Sequence, residues 1–342
     1  MIQVDVLIPM YNAEKTINES VLSVLNQTIK ANIIICDDAS TDNSLFLVKQ
    51  LSETYDNISI VENVENLGYL KTFNKLLTCS SSDFIAFLDA DDYYLPEKLE
   101  KQLAFLHDNT SIDVVGCNYT RVDNNNKYTL TPSNLPLEHS KIFSSLINGD
   151  DVICGSSLMV RREVISNIGG YREFFEGKVG EDIDWFTRII QRHRVANVSY
   201  TGYSYRMSLL SLTRKVSYNV RDIHVHDFIN FLFRYRVENN VYLDCIDNNQ
   251  VAIIDDFFEA YELLYEKTPC LLYTKTAFNH ALNGDYSDML KDITRCFSSN
   301  FKPLLVFKSL ILVTIVCIFP QGMLLKLKEA AKIKNITRNL LK

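Results

Sequence analysis

The chain has 342 residues, of which 47% are hydrophobic and 23% charged, and its net charge is −7. That length suits one large domain with an appendage, or two domains, and the composition is that of a globular protein rather than a disordered one. The acidic balance excludes broad nucleic-acid binding, which needs basic surface to neutralise phosphates.

The first residues, "MIQVDVLIPMYN", lack a basic leader and carry Asp5 inside their apolar run. They read as a first strand, Val4 to Ile8, and not as a secretory signal. Further β-branched, apolar runs follow at Ile33 to Cys36, Ile58 to Val61, Phe84 to Leu88 and Val114 to Cys117. Between them, Ile17, Val21, Val24 and Leu25, then Leu45, Val48 and Leu51, and then Glu97 to Leu106 show helical spacing. The alternation predicts an α/β fold, a Rossmann-like, mostly parallel sheet flanked by helices. Ligands on such sheets bind beyond the carboxyl ends of the strands, which selects Pro9 to Tyr11, Asp37 with Asp38, and Asp89 to Asp92.

From about residue 119 to 150 the pattern fades into polar sequence, read as a loop or an excursion from the sheet. A helix is predicted to begin near Glu181 and Asp182, with Trp185 as a packing residue, and residues 218 to 300 read as helical and rich in aromatics. Leu304 to Phe319 is apolar but interrupted by Lys308 and closed by Pro320, short of the roughly 20 residues a spanning helix needs. With Lys326, Lys328, Lys332, Lys334, Arg338 and Lys342 behind it, this end of the chain reads as lying on an anionic membrane surface. A core helix followed by a solvated tail is the alternative. The eight cysteines contain no C-x-x-C pair and there is no histidine cluster, so neither a zinc site nor a disulfide framework is expected, and a reducing cytoplasmic setting fits.

Three carboxylates in four positions close "FLDADDYY". Packed carboxylates raise one another's pKa unless a cation compensates. Asp89 and Asp91, as D-x-D at a strand end, offer hard oxygen ligands to Mg²⁺ or Mn²⁺, metals that commonly share coordination with substrate phosphates. Asp92 suits a turn or a hydrogen bond. The first strand is not followed by G-x-G-x-x-G and the chain has no G-x-x-x-x-G-K-[ST], which excludes a dinucleotide enzyme and a P-loop NTPase.

Five ordered blocks, "LIPMYNAEKTINESVLSVLNQ", "IIICDDASTDNS", "NLGYLKTFNKLL", "FLDADDYYLPEKLEKQ" and "GGYREFFEGKVGEDIDWFTRI", together resemble the inverting family-2 glycosyltransferases of the GT-A fold, over roughly residues 1–215. The resemblance implies a GT-A catalytic domain over 1–215, a helical C-terminal region over 216–302 and a membrane-associating segment over 303–342. It implies that Pro9 and Tyr11 border the nucleobase, that Asp38, with Asp37 beside it, hydrogen-bonds the base, and that Asn66 also faces it. Lys71 would lie near the phosphates or sugar. Asp89, next to Ala90, would contact ribose or metal, and Asp91 would be the principal metal ligand. Asp182 would be the general base, with Glu181 positioning, and Arg206 and Arg214 would meet the diphosphate. Where many relatives carry a histidine after the base, "YRMSLLSLTR" has Ser208.

The expected reaction moves a sugar from a nucleotide-diphosphate sugar, a UDP-sugar first and dTDP-rhamnose as the alternative, to a hydroxyl of a glycan or lipid-linked acceptor. The setting would be surface polysaccharide synthesis, such as that of O-antigen, at the inner face of the plasma membrane. A catalytically weak, membrane-docked scaffold is the competing expectation, raised by Ser208.

Overall fold

β1 (Val4–Met10) is buried along its whole length, as an apolar strand flanked on both sides by other strands must be. The structure is a computed structural model and describes residues 4–122, 132–207 and 216–298. α1 (Ile17–Leu25), β2 (Asn32–Asp37), α2 (Ser44–Thr54), β3 (Ile58–Glu62), α3 (Tyr69–Cys79) and β4 (Phe84–Phe87) continue the predicted alternation. β5 (Tyr93–Tyr94), α4 (Lys98–Asp108), β6 (Val114–Val122), α5 (His139–Ile147), β7 (Met159–Arg161), α6 (Arg162–Ile168), α7 (Glu181–Arg192) and β8 (Val195–Arg206) follow.

The eight strands lie in the order β3-β2-β1-β4-β7-β6-β8-β5. β1 pairs in parallel with β2 and β4, β2 with β3, and β6 with β8, whereas β7 runs antiparallel to β4 and β6, and β5 antiparallel to β8. The register sets Met10 opposite Asp37 and Leu7 opposite Phe87, so β1, β2 and β4 end along one rim. At the other end Asp5 accepts hydrogen bonds from Asn32, Ser80, Ser81 and Ser82. Burial alone would raise its pKa, but these donors outweigh burial and lower it.

The predicted loop after residue 119 holds more structure than its polarity suggests. β6 runs on to Val122, α5 follows, and β7 is only three residues long, too short for a period to register.

The chain divides into two compact units, Met1–Arg206 with Ile229–Asp244, and Met207–Phe228 with Cys245–Lys342. In the first, Phe73 stacks on Tyr171 with centroids 4.0 Å apart, and Trp185 meets Phe73 and Phe87 edge-on at 5.9 and 5.7 Å. This aromatic nucleus ties α3, β4 and α7 together, and Trp185 is a packing residue, its indole N–H donating to the Gly169 carbonyl at 2.8 Å.

The second unit is helical in its described residues: α8 (Val220–Ile223), the start of α9 (Val225–Glu238), α10 (Val251–Lys267), α11 (Pro269–Asn283) and α12 (Tyr286–Ser298). His224 is buried there between Asp227 and Tyr265, at 2.8 and 2.9 Å. No helix among the described residues is long and apolar enough to cross a membrane. The segment 303–342 lies outside the described residues.

Candidate active site

The loops leaving β1 and β2 turn sharply, with Asn12 and Ala39 at φ 49° and 57°, backbone that L-residues seldom adopt. They brace each other: Asn12 N–H donates to Ser40 Oγ at 3.0 Å, and Thr41 N–H to Asn12 Oδ1 at 2.8 Å. Pro9 is in β1 opposite Cys36, and Tyr11 stands 49% exposed on the rim. Asp37 is buried, with Oδ2 accepting from Ser40 N–H at 3.2 Å and Oδ1 without a hydrogen-bond partner.

Asp38 is buried too, and both its oxygens serve the loop before α3. Leu67 N–H and Gly68 N–H donate to it at 2.8 and 2.9 Å, and Asn63 Nδ2 at 2.8 Å. Gly68 has φ +84°, where a glycine is favoured. Asp38 thus holds the loop that carries exposed Asn66, whose Oδ1 also accepts from Gly68 N–H at 3.1 Å. One turn on, Lys71 Nζ lies 2.6 Å from Glu176 of the "GYREFFEG" segment.

The turn after β4 is braced by hydroxyls from α1. Thr16 and Ser20 donate to the Ala90 carbonyl, both at 2.9 Å, and Ser20 also to the Asp92 carbonyl at 2.6 Å. Asp92 is buried and accepts from Tyr203 Oη and Arg206 N–H, both at 2.7 Å. Arg206 donates to the Asp91 carbonyl at 2.7 Å and to Glu19 at 2.6 Å. Asp89 accepts from Tyr69 Oη at 3.1 Å and from Ser156 Oγ at 2.5 Å. Burial, then the charge of Asp91, push the Asp89 carboxyl up to about 6, and burial also raises Asp91.

α7 begins after Gly180, at φ +95°, with Glu181 and Asp182 in its first turn, where the helix dipole favours acids. Burial, then Asp182, push Glu181 up to about 8, and its Oε2 is buried without a hydrogen-bond partner. Asp182 packs against Gly155, where an added Cβ would meet Oδ2 at 3.0 Å. Gly155 and Ser156 belong to one 3-10 turn, Gly155–Ser157, so adjacent residues touch Asp182 and Asp89. Asp182 is also among the charges raising Asp89.

The structure therefore brings Asp89, Asp91, Glu181 and Asp182 together and sets Pro9, Tyr11, Asp37, Asp38 and Asn66 along the adjoining rim. Arg214, Ser208 and Ser211 lie outside the described residues. Tyr69, Gly155, Ser156 and Tyr171 were not singled out from sequence. "NLGYL" and "GYR" held two of them inside recognised blocks, whereas "CGSS" offers only small residues.

Asp89 and Asp91 fit a hard divalent cation: both supply oxygen only, both are half-buried, and burial pushes both towards protonation, which a bound cation would offset. A separate group, His280, Asp285 and Asp288, lies in the second unit, but Asp288 is held by Lys291 at 2.6 Å and His280 by Asp285 at 3.2 Å.

Comparison with known proteins agrees with this geometry. The sequence profile "Glycosyl transferase family 2" matches residues 5–169. "Putative glycosyltransferase EpsE" of Bacillus subtilis (strain 168) is 30% identical over 214 residues, covering 60% of this chain and 71% of EpsE. The Escherichia coli "UDP-Glc:alpha-D-GlcNAc-diphosphoundecaprenol beta-1,3-glucosyltransferase WfgD" is 40% identical over 36% of this chain and 47% of its own, so the match spans about half of that relative. Among solved structures, S. aureus TarS 1-349 in complex with UDP-GlcNAc has a TM-score of 0.58 at 16% identity, over 85% of this chain and 89% of that one. The mannosyltransferase PcManGT from Pyrobaculum calidifontis, in complex with GDP-Man and Mn²⁺, has a TM-score of 0.50 at 15% identity, over 99% and 87%. With a β4 rim, a family profile and an overall fold in agreement, the chain belongs to glycosyltransferase family 2 and has its GT-A fold.

Proposed function

We propose that the chain transfers a sugar, with inversion, from a nucleotide-diphosphate sugar to a hydroxyl of a glycan or lipid-linked acceptor in surface polysaccharide synthesis. The carrying observation is the Gly155–Ser157 turn, which touches Asp89 on the donor side through Ser156 and Asp182 on the acceptor side through Gly155. A donor held at the β4 rim would then present its anomeric carbon to an acceptor beside α7.

In this reading Asp182 accepts the proton of the acceptor hydroxyl as that oxygen bonds to the anomeric carbon and the bond to the diphosphate breaks. One displacement on the face opposite the leaving group inverts the carbon. Glu181, pushed up to about 8, stays protonated at neutral pH. It adds no second charge beside the base and holds a proton on a buried carboxyl. Tyr11, Asp37, Asp38 and Asn66 line the base end, and Lys71 exchanges Glu176 for the diphosphate. Mg²⁺ or Mn²⁺ held by Asp91 and Asp89 would neutralise charge on the leaving diphosphate.

UDP is the first nucleotide to test, supported by the names of WfgD and of the TarS complex, and a metal by the Mn²⁺ of PcManGT. A lipid-linked acceptor is supported by the name of WfgD, and polysaccharide as the product by a Bacillus subtilis relative named for teichuronic acid biosynthesis, TuaG. Residues 303–342 would dock the chain on the membrane where a lipid-linked acceptor resides, and deleting them should abolish partitioning onto anionic vesicles.

The test is titration with UDP, dTDP and GDP, each with and without Mn²⁺, alongside nucleotide release from the matching sugars. Metal-dependent binding that Asp91→Ala removes is expected. Binding of none of the three, or release that survives Asp182→Asn, would end the reading.

A further inference from the structure

Asp184 and Asp244 are 0% exposed, and burying a carboxylate is costly unless charge and hydrogen bonds compensate. Arg172 supplies both to the pair. Its Nε donates to Asp184 Oδ2 at 3.0 Å, a second guanidinium nitrogen bonds Asp184 Oδ1, and Nη1 donates to Asp244 Oδ1 at 2.9 Å. Arg188 adds a bond to Asp184 at 3.2 Å and caps the Ile168 and Gly170 carbonyls at 3.0 and 2.7 Å. From α9, Arg236 bonds Asp244 and reaches back to α7, to Thr187 Oγ1 at 2.7 Å and Gln191 Oε1 at 2.6 Å.

Two acids and three arginines thus grip α7 from two sides, the 168–172 turn and the 236–244 segment. The grip sits beside both halves of the site. Asp184 is two residues past Asp182 on the same helix. Arg172 follows Tyr171, whose ring stacks on that of Tyr69 with centroids 6.4 Å apart, and Tyr69 in turn donates to Asp89 at 3.1 Å.

We infer that Arg172 and Asp244 are positioning residues for transfer, a clamp that fixes the start of α7, and so Asp182, against Asp89. The inference rests on the reading of Asp182 as the base. Asp244 lies well beyond residue 169, where the family profile ends. Asp182 lies beyond it as well, so a carboxylate from the returning 229–244 segment braces the helix that carries the proposed base.

The test uses the full chain, with Asp244→Asn, Asp182→Asn and Leu106→Ala, a buried α4 change remote from the clamp that controls for lost stability. The probe is whichever of UDP, dTDP or GDP the wild type binds most tightly, and turnover is its release from the matching nucleotide sugar. Asp244→Asn should lower kcat about 10- to 100-fold, as a small misplacement of a base does, while nucleotide Kd stays within about twofold. Binding stoichiometry, which counts folded sites, should stay at the wild-type value, and Leu106→Ala should keep its kcat.

A kcat that falls only in step with stoichiometry, or equally in Leu106→Ala, would make the clamp merely structural and overturn the inference. If Asp244→Asn does not fold, Arg172→Lys carries the same expectation, because a single ammonium keeps the charge but cannot fork to both carboxylates. Turnover that survives Asp182→Asn would instead sink the base assignment while leaving the Asp244→Asn result readable. A wild type that binds none of the three nucleotides removes the reaction the clamp would position.

Discussion

Two acidic trios border the site, Asp89, Asp91 and Asp92 after β4, and Glu181, Asp182 and Asp184 at the start of α7, and they are compensated to different degrees. In each, one acid is buried and met by donors: Asp92 by Tyr203 and the Arg206 amide, Asp184 by Arg172 and Arg188. The other members include carboxyls pushed towards protonation, Asp89 to about 6 and Glu181 to about 8. Asp184, paired with guanidinium groups, builds the fold, whereas Asp89 and Glu181 stand ready for charge arriving with a ligand. Asp92 falls between, because burial and the charges of Asp91 and Asp89 push it well above the ordinary carboxylate range despite its two donors. The trios differ in their bracing. Hydroxyls and a backbone amide hold the first, whereas guanidinium groups hold the second.

The sharpest way to break this division is at Asp182. Asp182→Asn should cut turnover by about 10³-fold with nucleotide affinity unchanged, and comparable turnover in the variant would place Asp182 with the builders. Asp184→Asn should do the reverse and cost about 3–5 kcal/mol in urea unfolding, because two buried guanidinium groups lose their counter-charge. Asp92→Asn should cost less, about 1–3 kcal/mol, since its donors are a hydroxyl and an amide. A larger loss at Asp92 than at Asp184 would reverse the contrast in bracing.

Glu181 gives a pH-dependent test. Its pKa rises from 4.5 to about 8, so the native state binds that proton more tightly than the unfolded chain does. The contribution to stability is complete below about pH 4.5 and is lost as pH rises towards about 8. Glu181→Gln has no proton to lose, so its stability relative to wild type should grow between pH 5 and 8. Urea midpoints at both pH values check it, and a gap that narrows towards pH 8 contradicts the assignment. The smallest effect is expected at Glu176→Gln. That exposed partner of Lys71 should leave the melting temperature unchanged, and nucleotide affinity should rise about twofold as a surface competitor is removed.

The rim was legible because strand ends and acids recur locally: "CDDAS" and "DADD" each close an apolar run, and the structure sets both on one edge. α7 was legible for the same reason, an acidic pair leading an apolar period. What sequence could not give was partnership across distance. That Asp38 would bind its own loop, that Ser156 would reach Asp89 across 67 positions, and that β7 would run antiparallel beside β4 depend on chain crossings no local window contains. Asp92, read from sequence as suiting a turn or a hydrogen bond, accepts from Tyr203 and Arg206, whereas only burial sets Asp184 apart from its neighbours.

The return of residues 229–244 to the first unit bears on how such enzymes can be recombined. A chimaera joined near residue 215 would take Arg236 and Asp244 from one parent and Arg172 from the other, setting buried charges against strangers. A join placed after Asp244 would pass all five charged residues on together. Exchange of C-terminal halves among relatives is therefore best tolerated past that point, and acceptor-specific sequence grafted there would inherit an intact base helix.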